Sequence, residues 1–470
     1  MRARRFTGSA AVLAAAALIG SLAGVRRERS GPDPALEARV LVESIAALER
    51  RLTVDPGNPL VSARLVSDHM AAFQLDNDLD HLRRALTLSE ALVPTALDRG
   101  AAHARVASAR LSLHDFGGAL SAARAAIAAD PTGAAALGTL YDAAIAAGSY
   151  REAERALEAL VESHPGTLGA TLREARWLET HGAADEALAR LAPLCRRLSG
   201  RAVRRQLVAW CETIAGGLAG AAGDPGAAAA WYDRALDTQP GYPPALEGQA
   251  DLAYARSEWT RADALYRRIL TDAHPDLCLR LAEVRRALGD ERGARAFEDR
   301  FLALVAAPEA RALQAHDLAL LLAGMPDRRD EALAVIERDV ASRRSVEALE
   351  VLAWVRLARG DLTEALAASI EARAWGEPDA TSDYTQARIL AGMGREEEVR
   401  STLDRALAAP AVLAPHARWE AVRHTRALRP AAEAADRRTL SGPSPPPTSG
   451  ARERRDATGT ARSTRGSPRA

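Results

Sequence analysis

The sequence predicts an all-α fold, a superhelical solenoid of about ten helix–turn–helix repeats. Alanine recurs at a step close to 34 residues, and glycine recurs five residues before it in six of the ten units. No segment shows the alternation of apolar and polar residues that is typical of a strand. A period of this length indicates helical pairs that stack on one another rather than a single globular core.

The recurring alanine marks the second helix of each predicted pair. Its first four members are 34 residues apart, and the series then continues with small insertions and deletions. The ten positions are Ala85, Ala119, Ala153, Ala187, Ala228, Ala262, Ala294, Ala332, Ala365 and Val399. Small side chains on a shared face let two helices approach closely, so we expect this position to lie in the seam of each pair.

The helix boundaries follow from glycine and proline. The glycines five residues before the recurring position are Gly148, Gly182, Gly223, Gly289, Gly360 and Gly394. Glycine accepts the left-handed backbone that ends a helix, so each is expected to close a first helix. Pro131, Pro165 and Pro240 stand twelve residues after the alanine and are expected to end second helices. Further helices near 34–52 and 414–428 are expected to cap the array.

The segments GSYREAERALEALVESHP (148–165) and GDPGAAAAWYDRALDTQP (223–240) resemble the second-helix signature of the tetratricopeptide repeat family. The resemblance covers roughly residues 58–409 and implies a right-handed superhelix whose first helices line a concave surface. The whole chain also resembles bacterial exported proteins with a similar leader and repeat order, which implies no particular activity.

Some units depart from the pattern. Tyr141 and Leu320 stand where the first helix otherwise has a small residue, and Asp339 falls at an apolar position. Longer steps predict irregular turns near 200–208 and 303–312.

Charge is unevenly distributed although the net charge is zero. Residues 1–31 carry six Arg against one Glu, and residues 439–470 carry six Arg against two acidic residues, so 32–438 hold nine more acidic than basic residues. This surplus argues against a phosphate-binding surface, and we expect no nucleic-acid partner. All 62 basic residues are Arg, which excludes a Schiff-base lysine and a phosphate-loop lysine.

The two ends differ from the repeats. Residues 1–31 combine a basic start with an apolar run and predict a signal peptide cleaved after Ala23, or alternatively a signal anchor with membrane association. Residues 439–470 are rich in Pro, Ser, Thr and Arg and are predicted to be disordered. Residues 32–438 form the predicted solenoid. We expect export to the cell envelope, whether periplasmic, membrane-anchored or secreted.

Cysteine and histidine give no metal pattern, and we expect no metal and no cofactor. Cys195 and Cys211 fall in neighbouring helices and are left as either a disulfide or two buried thiols, and Cys278 is unpaired in either case. The histidines, including His416 and His424, are interpreted as surface or turn residues. No nucleophile, zinc or phosphate-loop motif is present, so we expect no catalytic residues.

Candidate binding residues follow from the resemblance, which places certain first-helix positions on the concave surface. They are Asp142, Arg173, Arg176, Glu247, Asp251, Tyr254, Glu283, Arg286, Asp317, Glu347, Glu350, Trp354, Tyr384 and Arg388. The favoured function is a non-catalytic scaffold that binds a protein or an extended peptide in this groove. The alternatives are a hydrolase or cell-wall-modifying enzyme with a concealed carboxylate pair, and a cytosolic regulator. Oligomeric state is left open.

Overall fold

A computed structural model of the chain describes residues 34–200, 203–376 and 380–407, in which there are 22 α-helices and no strand. The helices are α1 (Pro34–Val54), α2 (Pro59–Asp76), α3 (Leu79–Leu92), α4 (Arg99–Ser112), α5 (Phe116–Ala129), α6 (Ala134–Ala147), α7 (Tyr150–Ser163), α8 (Leu168–Thr180), α9 (Ala184–Ser199), α10 (Arg205–Ala221), α11 (Pro225–Thr238), α12 (Pro243–Ala255), α13 (Trp259–Ile269), α14 (Asp276–Ala287), α15 (Glu291–Leu304), α16 (Pro308–Leu313), α17 (Ala315–Ala323), α18 (Arg329–Ser342), α19 (Val346–Arg359), α20 (Leu362–Arg373), α21 (Ala380–Gly392) and α22 (Glu396–Leu407).

These helices form ten consecutive pairs, from α2–α3 to α21–α22, with α1 packed on α2 at the start. The predicted all-α solenoid is confirmed, and α1 matches the helix expected near 34–52. In the eighth pair the first helix is broken into α16 and α17, which lies at the irregular turn expected near 303–312. Helices α5, α7 and α11 each end two residues before the proline that was expected to stop them.

The recurring alanine occupies the tightest point of each pair. All nine alanines of the series have no exposed surface, and Val399 in the tenth pair is partly buried. Because the two backbones meet at this point, a larger side chain would overpack the seam at a cost of about 1–3 kcal/mol.

The turn glycines have the predicted backbone. All six lie in the left-handed region, with φ between 74° and 94°. In two units without glycine the same position is held by His114 at φ 60° and Ser257 at φ 61°. A non-glycine residue tolerates this conformation less readily, so these two turns carry some backbone strain.

The first helices lie on the inner side of the solenoid. Neighbouring first helices pack on each other, α4 on α6, α6 on α8, α10 on α12, α17 on α19 and α19 on α21, more closely than neighbouring second helices do. Because the first helices are the closer set, the solenoid curves toward them and their surface is concave. A concave surface of this kind is the one that repeat proteins use for binding.

The solenoid also returns to contact itself. The amide of Arg344 donates to the carbonyl of Ala147 at 3.3 Å, and the amide of Val346 donates to Oη of Tyr150 at 2.6 Å. One apolar core joins α4–α7 to residues between Cys278 and Ala406. Packing in this chain is therefore not confined to neighbouring units, because the third unit packs on the start of the ninth.

Several predictions concern residues outside the described ranges. They are the leader (1–31), the capping helix near 414–428, the tail (439–470), His416 and His424. The described residues all belong to the first of two compact units, which ends at residue 422. Within 34–200, 203–376 and 380–407, no helix combines the length and apolar character needed to cross a bilayer.

Candidate functional site

None of the fourteen candidate groove residues is fully exposed. Nine are partly exposed and five are buried: Asp142, Arg173, Tyr254, Trp354 and Tyr384. Trp354 and Tyr384 were expected to line the concave surface, but their exposed fractions are only 6% and 1%. They contribute mainly to the core, because so little of either side chain reaches the surface. A groove-lining role for the partly exposed residues stays a prediction.

Asp142 and Arg173 form a buried ion pair between α6 and α8. Nη2 of Arg173 lies 2.5 Å from Oδ2 of Asp142, and Nε donates to Oδ1 at 3.1 Å. The guanidinium also donates to the carbonyls of Gly138 and Gly169 at 3.0 Å. Burial raises the pKa of Asp142, and the charge of Arg173 opposes that rise. The pair joins two successive first helices instead of presenting a binding surface.

Tyr141 accounts for one departure from the repeat pattern. Its side chain is 1% exposed, and its hydroxyl donates to the carbonyl of Arg173 at 3.1 Å. A large residue fits here because its polar end reaches the next first helix.

Other candidate residues meet in pairs. Arg176 lies 3.6 Å from Glu179 in its own helix and 3.7 Å from Glu347 in α19, across the inner face. Nη1 of Arg388 donates to Oη of Tyr384 at 3.4 Å. Arg286 instead turns to Glu298 at 2.7 Å and Glu291 at 3.5 Å, both on the second helix of its own unit. The structure thus brings only part of the candidate set together.

Four carboxylates surround one guanidinium on the first helices of three successive units. We call this set the inner acidic cluster; its members are Asp251 of α12, Asp276, Arg280 and Glu283 of α14, and Asp317 of α17. Tyr266 donates to Asp251 at 2.5 Å, and Oη of Tyr254 lies 3.4 Å from Oε2 of Glu283. The cluster carries a formal charge of −3 when all five groups are ionised.

Electrostatics in the cluster are strongly perturbed. Burial and the neighbouring Asp317 raise the pKa of Asp276 to about 6, against the opposing charge of Arg280. Burial alone would lower the pKa of Arg280, but the surrounding charges of Asp251 and others raise it further above its ordinary value. The guanidinium of Arg280 therefore stays protonated beside these carboxylates.

Asp276 and Arg280 were missed by the sequence reasoning, although a signal was present. Asp276 stands 18 residues before its recurring alanine, as Glu347 does, and Arg280 stands 14 residues before it, as Arg173 does. Taking the positions 18 and 14 residues before the recurring alanine in every unit would have found both residues. Asp276 opens α14, where an acidic residue is readily explained by the helix dipole.

Cysteine pairing is resolved by the structure. Cys195 of α9 and Cys211 of α10 form a disulfide with a Cα–Cα distance of 5.5 Å, and Cys278 is a buried free thiol.

The interpretation of all histidines as surface or turn residues is wrong for His69, which is 6% exposed within α2. Its ring contacts His81 at 2.8 Å between the Nδ1 atoms because the two helices of that pair face each other.

Other sites are sparse in the described part of the chain. No group of three or more His, Cys, Asp or Glu side chains there is arranged to hold a metal ion. Two surface cavities of about 350 and 800 Å³ are lined by residues such as Arg344 and Arg356, and Leu97 and His103. Neither of these two cavities includes a member of the inner acidic cluster.

Comparison with known proteins gives one family match. The family model described as a tetratricopeptide repeat matches residues 110–175, which span α5, α6, α7 and parts of α4 and α8. No curated protein matches the chain in sequence.

Solved structures with a similar fold have low sequence identity. The type IV pilus biogenesis factor PilW is 17% identical, with a TM-score of 0.37, covering 46% of this chain and 99% of that one. Human IFIT1, as a dimer with PPP-AAAA, is 14% identical, with a TM-score of 0.41, covering 78% of this chain and 94% of that one. Pseudomonas aeruginosa PilF is 17% identical, with a TM-score of 0.33, covering 46% and 96%.

These three likenesses are too distant to carry a functional argument. The direct evidence is the family match together with the observed pairs, since helical pairs with the same buried alanine extend on both sides of residues 110–175. Residues 110–175 match the tetratricopeptide repeat family, and the described chain continues the same helical pairing as a helical-repeat solenoid.

Proposed function

We propose that this protein is a non-catalytic scaffold that holds an extended, basic segment of a partner protein against its inner face. The observation that carries the proposal is the inner acidic cluster, in which four carboxylates from three successive units surround one guanidinium. A cationic side chain placed there would relieve the repulsion among the carboxylates. An extended chain would reach all three units, because they lie side by side along the solenoid.

The proposed location is the cell envelope or the exterior of the cell. The disulfide between Cys195 and Cys211 supports it, because such bonds persist in oxidising compartments and are rare in the cytosol. The basic, apolar leader points in the same direction. A cytosolic regulator fits the disulfide less well.

A peptide-binding measurement tests the scaffold proposal. The full chain is titrated into two fluorescent alanine-based peptides that differ only in carrying several Arg or several Glu residues, and anisotropy is followed. We expect the Arg peptide to bind and the Glu peptide not to bind. The triple variant D251N/E283Q/D317N should weaken binding of the Arg peptide about tenfold or more, since three charge-assisted contacts are lost.

A matched variant removes the same charge elsewhere. E154Q/E158Q/E162Q neutralises three exposed carboxylates on α7, a second helix. It should leave the affinity within about twofold at moderate salt, because separated surface charges are screened. Equal weakening by both triple variants would show non-specific attraction to an acidic protein, and failure of the Arg peptide to bind would contradict the proposal.

A carboxylate-based hydrolase is the second candidate, and Asp276 is the observation that favours it. A carboxyl group with a pKa of about 6 beside a second carboxylate, Asp317, has the properties of a general acid. If this candidate is correct, the full chain should release reducing ends from cell-wall polysaccharide and D276N should not. No release by the wild-type chain would remove it.

A further inference from the structure

The return contact of the solenoid contains a partly buried histidine in an unusual setting. His114 holds the turn between α4 and α5, where six other units use glycine, and it does so at φ 60°. Its ring lies tilted against that of Phe116 with centroids 5.2 Å apart, and its Nδ1 is buried without a hydrogen-bond partner in the described structure. A strained, unsatisfied residue of this kind is retained only where the surrounding structure holds it.

Charged groups of the eighth unit face His114 from the other side of the contact. The guanidinium of Arg343 lies 4.3 Å from the centroid of the Phe116 ring. Arg343 also donates to Asp339 at 3.0 Å and lies 2.9 Å from Nε2 of His316. His316 in turn meets Asp339 at 2.8 Å, so the cationic side of the contact is held in place by one carboxylate.

The remaining charged groups near His114 belong to its own side of the contact. Arg110, in the last turn of α4, lies 3.8 Å from Asp115 and 2.8 Å from Glu90. Asp115 also caps α5 by accepting from the amide of Gly118. Arg110 is engaged by Glu90 of α3 and Asp115 by the amide of Gly118, so neither carboxylate is directed at the His114 ring.

These groups lie beside the two backbone contacts that close the solenoid. The hydrogen bonds from the amide of Arg344 to Ala147 and from the amide of Val346 to Tyr150 begin one and three residues after Arg343. We call the set of Ala147, Tyr150, Arg343, Arg344 and Val346 the clasp. Its amides are direct reporters of closure, because both bond to a distant unit.

We propose that the clasp is a pH-sensitive latch, which stays closed while the His114 ring is neutral and opens when that ring is protonated. A positive ring would face Arg343 and His316 in a buried contact without a counter-charge of its own. This goes beyond the proposed function, because closure and its response to pH do not depend on any bound peptide.

The direction of the response follows from the titration of His114. Burial, with smaller contributions from Arg343 and His316, lowers the pKa of His114 from 6.5 to about 4. The open form therefore binds more protons than the closed form between these values, so closure is fully favoured above pH 6.5 and weakens as the pH falls toward 4. The closing equilibrium should fall about 20-fold between pH 7 and pH 5.

Asp339 does not titrate in this window. Burial would raise its pKa, but His316 and Arg343 together lower it below its ordinary value of 3.8. The carboxylate thus remains charged at pH 5, and the cationic side of the clasp stays assembled while His114 takes up its proton.

Hydrogen–deuterium exchange of the full chain tests the proposal. Protection of the Arg344 and Val346 amides is measured at pH 7 and pH 5 after correction for intrinsic exchange. We expect protection to fall about 20-fold in the wild type and less than threefold in H114N, since asparagine tolerates positive φ and does not titrate. H181N, which changes an exposed turn histidine, should behave like the wild type.

Two results would overturn the proposal. One is wild-type protection that does not change between pH 7 and pH 5, and the other is an H114N chain that loses protection as the wild type does. If H114N fails to fold, R343Q gives the second measurement. Removing the facing guanidinium should bring the pKa of His114 closer to its ordinary value and reduce the fall to less than 20-fold, and an unchanged fall would count against the latch.

Discussion

The backbone at position 148 shows how one residue serves two purposes. Gly148 ends α6 with φ 78°, as the other turn glycines do, but a Cβ atom there would also collide with the carbonyl group of Arg344. Gly360 has φ 94° and no heavy atom within 4 Å of the Cβ position. Comparing substitutions at the two glycines therefore separates two free-energy costs. One is that of a left-handed backbone, and the other is that of a steric clash.

Substituting alanine at both glycines should give unequal losses. G360A is expected to lower the free energy of unfolding by about 1–2 kcal/mol, the cost of a left-handed alanine. G148A should lose more than that, because the clasp must also move. Denaturant titration of both variants checks this. Equal losses of unfolding free energy would mean that the backbone of Arg344 moves away from residue 148 without a measurable cost.

The Asp142–Arg173 pair gives a second residue-scale prediction. R173M should lower stability by about 3–5 kcal/mol, because it leaves a buried carboxylate without its cation. Adding D142N should recover at least half of that loss, since the unpaired charge is then removed. Denaturant titration of R173M and the double variant measures the difference, and no recovery would show that lost packing around Arg173 dominates.

Sequence reasoning at this scale succeeded for small residues and was weaker for large ones. The recurring alanines and turn glycines were found because each answers a local requirement of one helical pair. The burial of Trp354 and Tyr384 depends on how successive units curve and on residues far along the chain, which a repeat register does not encode.

At the scale of elements, the disulfide is the one covalent link between helices in the described chain. It joins the fourth unit to the fifth across the step predicted to be irregular near 200–208. Both cysteines are fully buried, as is Cys278. An expectation of burial therefore applies equally to the bonded pair and to the free thiol and does not tell them apart. What distinguishes them is that α9 and α10 place two of the three side by side.

Reduction should therefore destabilise the chain by a definable amount. The bond closes a loop of 16 residues, for which about 3 kcal/mol is expected. C195A/C211A should unfold at a lower temperature than the wild type and should not respond further to reducing agent. C278A is the control, because it removes a buried thiol but leaves the wild-type sensitivity to reduction intact. One free thiol per denatured, unreduced wild-type chain and none in C278A would establish the pairing.

At the scale of the molecule, closure couples units that are distant in sequence. Trp375, after α20, stacks on Tyr150 of α7 with centroids 5.4 Å apart, and the guanidinium of Arg151 lies 5.8 Å from the Trp375 ring. The repeat period predicted the stack of pairs but not this contact, because the period describes each unit against its neighbour. The contact arises from curvature accumulated over about six units.

An alanine substitution at Trp375 should reveal that coupling. W375A is expected to increase amide exchange in α7, more than 200 residues away, because the stacking contact is lost. W259A removes a ring whose centroid lies 5.3 Å from that of Tyr254, on the other side of the α12–α13 turn. This variant should affect only neighbouring units. Exchange mapping of both variants tests this, and an unchanged α7 in W375A would show that closure adds no cooperativity.

The contact between Ala147 and Arg344 also limits how such a chain can change by duplication. An open array gains or loses a repeat with little consequence, because new neighbours replace old ones. Here an added unit anywhere between the third and the ninth would separate Gly148 and Tyr150 from Arg344 and Val346 at once. We therefore expect descendants of this protein to vary in repeat number at their ends and to keep the number between these two points constant.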